Sequence, residues 1–244
     1  MENGRFLTAE WRFLAMLNFT IDPGVLSPFV PIGTELDAWN GQTFVSVVGF
    51  RFLRTRVFGL TIPFHRNFLE VNLRFYVRRK APDGWRRAVV FIKEIVPRRA
   101  IAAVARRRYN ENYVALPMRA RVTPPDHPDS GAGSLEYSWR VGQSWNTIQA
   151  TFGGPASYPV KGSEAEFITE HYWGYVSQRD RSTLEYYVEH PQWRVWQATN
   201  ARLVGDVAEL YGAQFQDALS QPASSAFVAE GSEVAVSRGV RLEA

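Results

Sequence analysis

One segment limits the fold more than any other. In residues 67 to 79, NFLEVNLRFYVRR, Leu69, Val71, Leu73, Phe75 and Val77 alternate strictly with Glu70, Asn72, Arg74, Tyr76 and Arg78. A period of two belongs to a β-strand with one apolar face; a helix would scatter these residues around its whole surface. The turn signal Ala81-Pro82-Asp83-Gly84 follows, and WRRAVVFIKEIV (85 to 96) returns, apolar on both faces in its middle. The pair predicts a hairpin. Pro97 ends the ladder and suits the first position of a helix.

The remainder reads in the same way. EWRFLAMLNF (10 to 19) and QTFVSVVGFRF (42 to 52) are β-rich, with DPGVLSPFVP between them as a proline-bounded helical turn. SLEYSWRV (134 to 141) and SWNTIQATF (144 to 152) predict a hairpin around Gly142-Gln143. EAEFITEHYWGYVSQ begins as a helix and becomes a strand, and residues 205 to 219 predict one further helix. PPDHPDSGAG (124 to 133) reads as an exposed loop, too short to link two domains. Aromatic residues are spread along the whole chain, which favours one continuous core and a single domain over residues 1–244. Many antiparallel strands with two or three helices predict a mainly β or α+β domain built on a large sheet or barrel.

Composition removes several function classes. There is no cysteine, so disulfides and thiolate metal sites are excluded and a reducing cytoplasm is the expected location. Residues 1–10 lack the apolar run of a signal peptide, and no window approaches the roughly 20 apolar residues of a membrane span, so no membrane partner is expected. No serine-nucleophile elbow, phosphate loop or dinucleotide fingerprint occurs, and no cofactor is expected. Of the 28 basic residues 25 are arginine, which leaves Lys80, Lys93 and Lys161 as the amines available for nucleophilic chemistry.

The residues that carry chemistry each have a plain alternative. Glu70, Asn72, Arg74 and Tyr76 form either a solvated sheet face or the polar lining of a barrel interior. Lys93 lies among apolar neighbours and needs a carboxylate partner or a depressed pKa if buried. One hairpin register sets it opposite Glu70 as an ion pair or catalytic amine; the neighbouring register sets Glu94 there and turns Lys93 away. A turn between Asp180 and Arg181 would place His171 opposite His190. The alternating strand geometry then sends Glu170 and Glu189 to the other face, so a metal site is not expected. His65, in the proline-bounded PFHRNF, suits a barrel rim and is the histidine best placed for proton transfer. RRAIAAVARRRYNENYVALP (98 to 117) reads as a helix packed through Ile101, Val104 and Ala105. Three consecutive arginines, Arg106 to Arg108, fan through about 200° of a helix. They make no single basic face, and nucleic acid is not an expected partner.

Longer motifs carry a family resemblance. IPFHRNFLEVNLRFYVR, VVFIKEIVPRRAI, YNENYVALPM, EFITEHYWGY and EYYVEHPQW resemble the uncharacterised bacterial DUF2071 family, over roughly residues 6 to 215. The resemblance implies an acetoacetate decarboxylase-like fold, a cone-shaped antiparallel β-barrel with its pocket inside. It also implies an arginine near the start of the first strand holding a substrate carboxylate, which falls on Arg12. The family of that fold's namesake uses a lysine pair for Schiff-base chemistry; the equivalent region here reads Arg106-Arg107-Arg108. A guanidinium cannot act as a neutral amine, so decarboxylation from that position is excluded. The expected function is binding of a small organic acid, with Arg12 or Arg74 on the carboxylate and Asn72, Tyr109 and Tyr113 beside it. Glu70, Lys93 and His65 are the expected catalytic groups. The alternative is a non-catalytic ligand-binding or interaction protein. A homo-oligomer is compatible with the sequence, which does not set a stoichiometry.

Overall fold

The computed structural model describes residues 4–102, 110, 112–127, 129 and 131–242. Its main feature is one continuous ladder of strands. β1 (Arg5–Ile21), β3 (Thr43–Val57), β4 (Phe68–Ala81) and β5 (Gly84–Val96) are long and pair in the order β5-β4-β3-β1. β13 (Ser225–Ser237) pairs with the other edge of β1, and β11 (Thr183–Glu189) pairs both with β13 and with β10 (Trp173–Ser177). β10 in turn pairs with β5, so the pairings run through β11, β10, β5, β4, β3, β1 and β13 and return to β11. The expected antiparallel arrangement holds except along one edge of β5. That edge is shared by β10 and by β6 (Tyr113–Ala115), both parallel to it. Each reaches the edge by a crossover rather than a hairpin, which is what parallel pairing requires.

A second layer packs on the outside. β7 (Met118–Thr123), β8 (Ala132–Val141), β9 (Ser144–Gly153) and β12 (Val195–Val204) form a sheet in the order β12-β9-β8-β7, joined to the ring through β13. The apolar face of β4 lies against this layer: Val71, Leu73, Phe75 and Val77 are buried in one core with Leu135, Tyr137, Trp139 and Ile148. The opposite face of β4 points inward. There Phe68 and Tyr76 join Phe50, Phe52, Val89 and Phe167 in a second core. β5 is apolar on both sides in its middle because it stands between the two cores, with Val90 and Ile92 in one and Val89 and Val96 in the other. Gly49 on β3 permits the close approach of the layers. A Cβ there would sit 2.7 Å from the Ile148 Cδ1 and 2.9 Å from the Tyr137 Cδ2.

The helices are short. α1 (Pro23–Leu26) and the 3-10 turn Ser27–Phe29 form the predicted proline-bounded turn, and α2 (Glu164–Thr169) precedes β10 as expected. Residues 99–102 are helical. The single helix predicted over 205–219 is in fact broken. α3 (Val207–Tyr211) stops at Gly212, whose φ of 104° lies outside the helical range, and a 3-10 turn leads into α4 (Gln216–Leu219). Val104, Ala105, Arg106, Arg107, Arg108 and Tyr109 lie outside the described residues.

Candidate functional site

A cavity of about 290 Å³ lies inside the ring of strands. Its polar wall is built from β4 outward. Glu70, Asn72 and Arg74 follow one another on the inner face of that strand, and Glu94 of β5 sits opposite Asn72. The Asn72 Nδ2 donates to the Glu70 Oε1 at 3.1 Å, and the Tyr113 hydroxyl donates to the Glu70 Oε2 at 3.2 Å. Glu70, Asn72 and Glu94 are each almost wholly buried. Such burial is costly for a carboxylate unless partners compensate, and here they do for Glu70. Among the described residues, the Asn72 Oδ1 and the Arg74 Nε find no hydrogen-bond partner, while the Arg74 Nη2 donates to the Ile168 carbonyl at 3.2 Å.

Two histidines complete this wall. His171 is buried against Tyr76, ring centroids 4.7 Å apart, and edge-on to Phe167. Among the described residues, neither ring nitrogen finds a hydrogen-bond partner of normal geometry. Burial above all, and then the charges of Arg87 and Arg74, hold its pKa well below the usual imidazole value. His190 is stacked between Tyr172 at 4.6 Å and Trp193 at 4.2 Å, and burial lowers its pKa also. The hairpin register pairs Trp173 with Tyr187, one residue away from that needed to set His171 directly against His190. Both rings still line the cavity, because the chain leaves the strands at these residues. Among the described residues, no three His, Asp or Glu side chains converge within metal-binding reach.

The remaining wall is apolar. Trp11, Phe50, Phe52, Phe68 and Trp193 make a connected aromatic cluster, with Phe52 stacked on Phe68 at 4.5 Å. Ile62 and His65 line the cavity and are also reached by solvent, so the segment between β3 and β4 borders its opening. His65 is therefore at the rim, its Nδ1 2.8 Å from the Pro63 carbonyl.

Two expected site residues lie elsewhere, each because of a bulge. On β5, Arg74 pairs with Phe91 but Leu73 pairs with Lys93, so Ile92 is the extra residue. The inward face reads Val89, Phe91 before the bulge and Glu94, Val96 after it. Lys93 consequently shares the outward side of Leu73, paired with neither Glu70 nor the cavity, and its partial burial lowers the pKa of the amine. On β1 the bulge falls at Phe13, with φ of 54°, and Trp11 and Leu14 both reach the cavity. Arg12 lies outside it. Its guanidinium is 3.3 Å from the Glu10 carboxylate and donates to the Gly231 carbonyl at 3.0 Å. Glu10 is held between Arg12 and Arg54, an ion cluster of the strand pair rather than a ligand clamp. Of the residues expected at the site, Glu70, Asn72, Arg74, Tyr113 and His65 line this cavity, and Tyr109 lies outside the described residues. Glu94, Thr169, His171, His190 and the aromatic wall also line it, and the sequence reading had not assigned them to a common pocket.

The sequence profile of the DUF2071 family, described as an uncharacterized conserved protein, matches residues 8–233. The chain belongs to this family. One relative, the uncharacterized protein YqjF of Bacillus subtilis strain 168, is 27% identical over 209 residues, spanning 83% of this chain and 80% of its own. The fold is shared with an acetoacetate decarboxylase-like enzyme from Sphingomonas wittichii RW1, with a TM-score of 0.63 and 12% identity over 98% of this chain and 94% of the other. It is also shared with the enduracididine biosynthesis enzyme MppR complexed with pyruvate, with a TM-score of 0.68 and 13% identity over 100% and 92%. The acetoacetate decarboxylase of Legionella pneumophila gives a TM-score of 0.62 and 14% identity over 98% and 86%. The DUF2071 chain is thus mainly β with an acetoacetate decarboxylase-like fold. No helix among its described residues is long and apolar enough to cross a membrane.

Proposed function

We propose that the cavity binds a small keto acid or its enol, with Arg74 on the carboxylate and Glu70 as the proton-transfer group. The observation that carries this reading is Arg74 in the cavity wall on the same face of β4 as Glu70 and Asn72, with Glu70 held by Asn72 and Tyr113. A guanidinium in the wall of a largely apolar cavity favours a carboxylate, because charge-assisted hydrogen bonds gain strength away from water. Glu70, as carboxylate, would take a proton from the carbon beside the carbonyl, leaving an enolate; Tyr113 and Asn72 hold the carboxylate in place. His65 at the rim is positioned to exchange that proton with solvent. The structural relative MppR, complexed with pyruvate, supports a ligand of this kind.

Schiff-base decarboxylation is not part of the proposal. Lys80, Lys93 and Lys161 do not line the cavity, and the residues outside the description contain no lysine. The test is twofold. Calorimetry with pyruvate is expected to give binding that Arg74→Gln weakens by about 10- to 100-fold, the value of a hydrogen bond to a charged group. Proton NMR in deuterium oxide is expected to show exchange of the pyruvate methyl protons above the buffer rate, reduced at least about 100-fold in Glu70→Gln. Binding without exchange would favour the non-catalytic reading, and equal binding by the Arg74 variant would remove the carboxylate assignment.

A further inference from the structure

Resting on the acid-binding reading, we infer that the ligand is a keto acid bearing an aryl or similarly bulky apolar group, rather than one of two to four carbons. The cavity is far larger than a small keto acid needs: a dry cavity of about 150 Å³ already admits benzene, and this one holds about 290 Å³. The difference leaves room for an aromatic ring beside the acid head.

The distribution of chemistry around the space says where that ring goes. Val48 on β3 is directly opposite Asn72 on β4, and Phe50 is directly opposite Glu70. Polar and apolar side chains thus stand side by side at the same depth, and both line the cavity. Phe50 is in turn edge-on to Trp11 at 5.3 Å, and Trp11 lies 6.3 Å from Trp193. A small acid gripped by Arg74 would leave this aromatic cluster facing water or empty space, forfeiting its dispersion contacts. An arylalkyl keto acid places its polar edge on β4 and its ring against β1 and β3, where offset or edge-on contacts with the cluster are geometrically natural.

Burial of a phenyl-sized group is expected to tighten binding by roughly 10- to 100-fold over the same acid without it. The test compares phenylpyruvate, pyruvate and the neutral ketone phenylacetone by calorimetry on the full chain. Phenylpyruvate binding at least 10-fold tighter than both others is the expected result. In Phe50→Leu the ratio of phenylpyruvate to pyruvate affinity should shrink several-fold, with a cooperative urea transition certifying that the variant is folded. Equal affinity for phenylpyruvate and pyruvate, both above phenylacetone, would overturn the inference and leave acid binding intact. Phenylacetone binding as tightly as phenylpyruvate would overturn both, the cavity then being a site for neutral aromatics. Absence of binding by all three would also overturn both.

Discussion

At the scale of single residues, the buried histidines make the clearest prediction. His171 and His190 both have pKa values lowered chiefly by burial, and His171, whose value is held well down, stays neutral in the folded chain where the unfolded chain would protonate it. Below the unfolded value of about 6.5 the unfolded state binds more protons, so stability decreases as the pH is lowered. Between pH 7.5 and 5.5 a histidine that stays neutral in the folded chain, as His171 is expected to, should remove about 1 kcal/mol. Urea unfolding at the two pH values measures this. His171→Phe, which keeps the aromatic contacts with Tyr76 and Phe167, should lose less stability over that interval than the native chain. An identical pH dependence in both proteins would exclude His171 as a source. Neither histidine's environment was readable from sequence. Burial of His171 depends on α2 and on Tyr76, more than 90 residues away in the chain, and a local pattern carries no such information.

At the scale of elements, two bulges decide which side chains enter the cavity. The hairpin turn pairs Ala81 with Gly84, and an unbroken ladder from that pair would set Lys93 opposite Asn72, inside the cavity. The extra residue Ile92 reverses the alternation and delivers Glu94 instead. The strand itself, its apolar face and its polar face were all legible from the period of two in 67 to 79. Its return partner was legible as well. The bulge was not, because Ile92 is an ordinary apolar residue whose displacement follows from fitting both cores at once. The same holds at Phe13, where the bulge leaves Arg12 beside Glu10 and Gly231 instead of a ligand. Lys93 therefore makes a direct test of the β5 geometry. Treated with pyruvate and cyanoborohydride, the native protein should show no preferential mass increase at Lys93 over Lys80 and Lys161 after digestion. A rapid stoichiometric adduct at Lys93 would mean that its amine reaches the cavity and that the bulge is misplaced.

At the scale of the whole molecule, the cavity exists because strands from opposite ends of the chain meet. β13 pairs with β1 from Arg5 with Ser237 to Asn18 with Ser225, and it also pairs with β12 and β11. This strand went unassigned in the sequence, since Glu230, Gly231, Ser232 and Glu233 interrupt its apolar alternation. The interruption has a structural reason: Gly231 has a φ of 79°, and a Cβ there would lie 2.0 Å from the Trp11 carbonyl oxygen. Such long-range pairing costs loop entropy before it is rewarded, so the chain should behave as one slow-folding cooperative unit. Two truncations separate this view from a modular one. Ending the chain after Arg238 removes β14 (Val240–Arg241), the Leu242 hydrogen bond to Thr183 and the exposed Arg241–Asp180 ion pair. That change should cost about 1 kcal/mol or less, since exposed ion pairs contribute little. Ending it after Ser224 removes β13, with the buried Phe227, Val228, Ala229 and Val234, and leaves β1 and β12 with bare edges. The shorter chain should lose its near-ultraviolet circular dichroism and cooperative urea transition, and should aggregate. If it instead unfolds cooperatively with native aromatic signals, the strands β1, β3, β4 and β5 form a stable unit without β13, and the cavity's wall is an addition to the core rather than part of what holds it together.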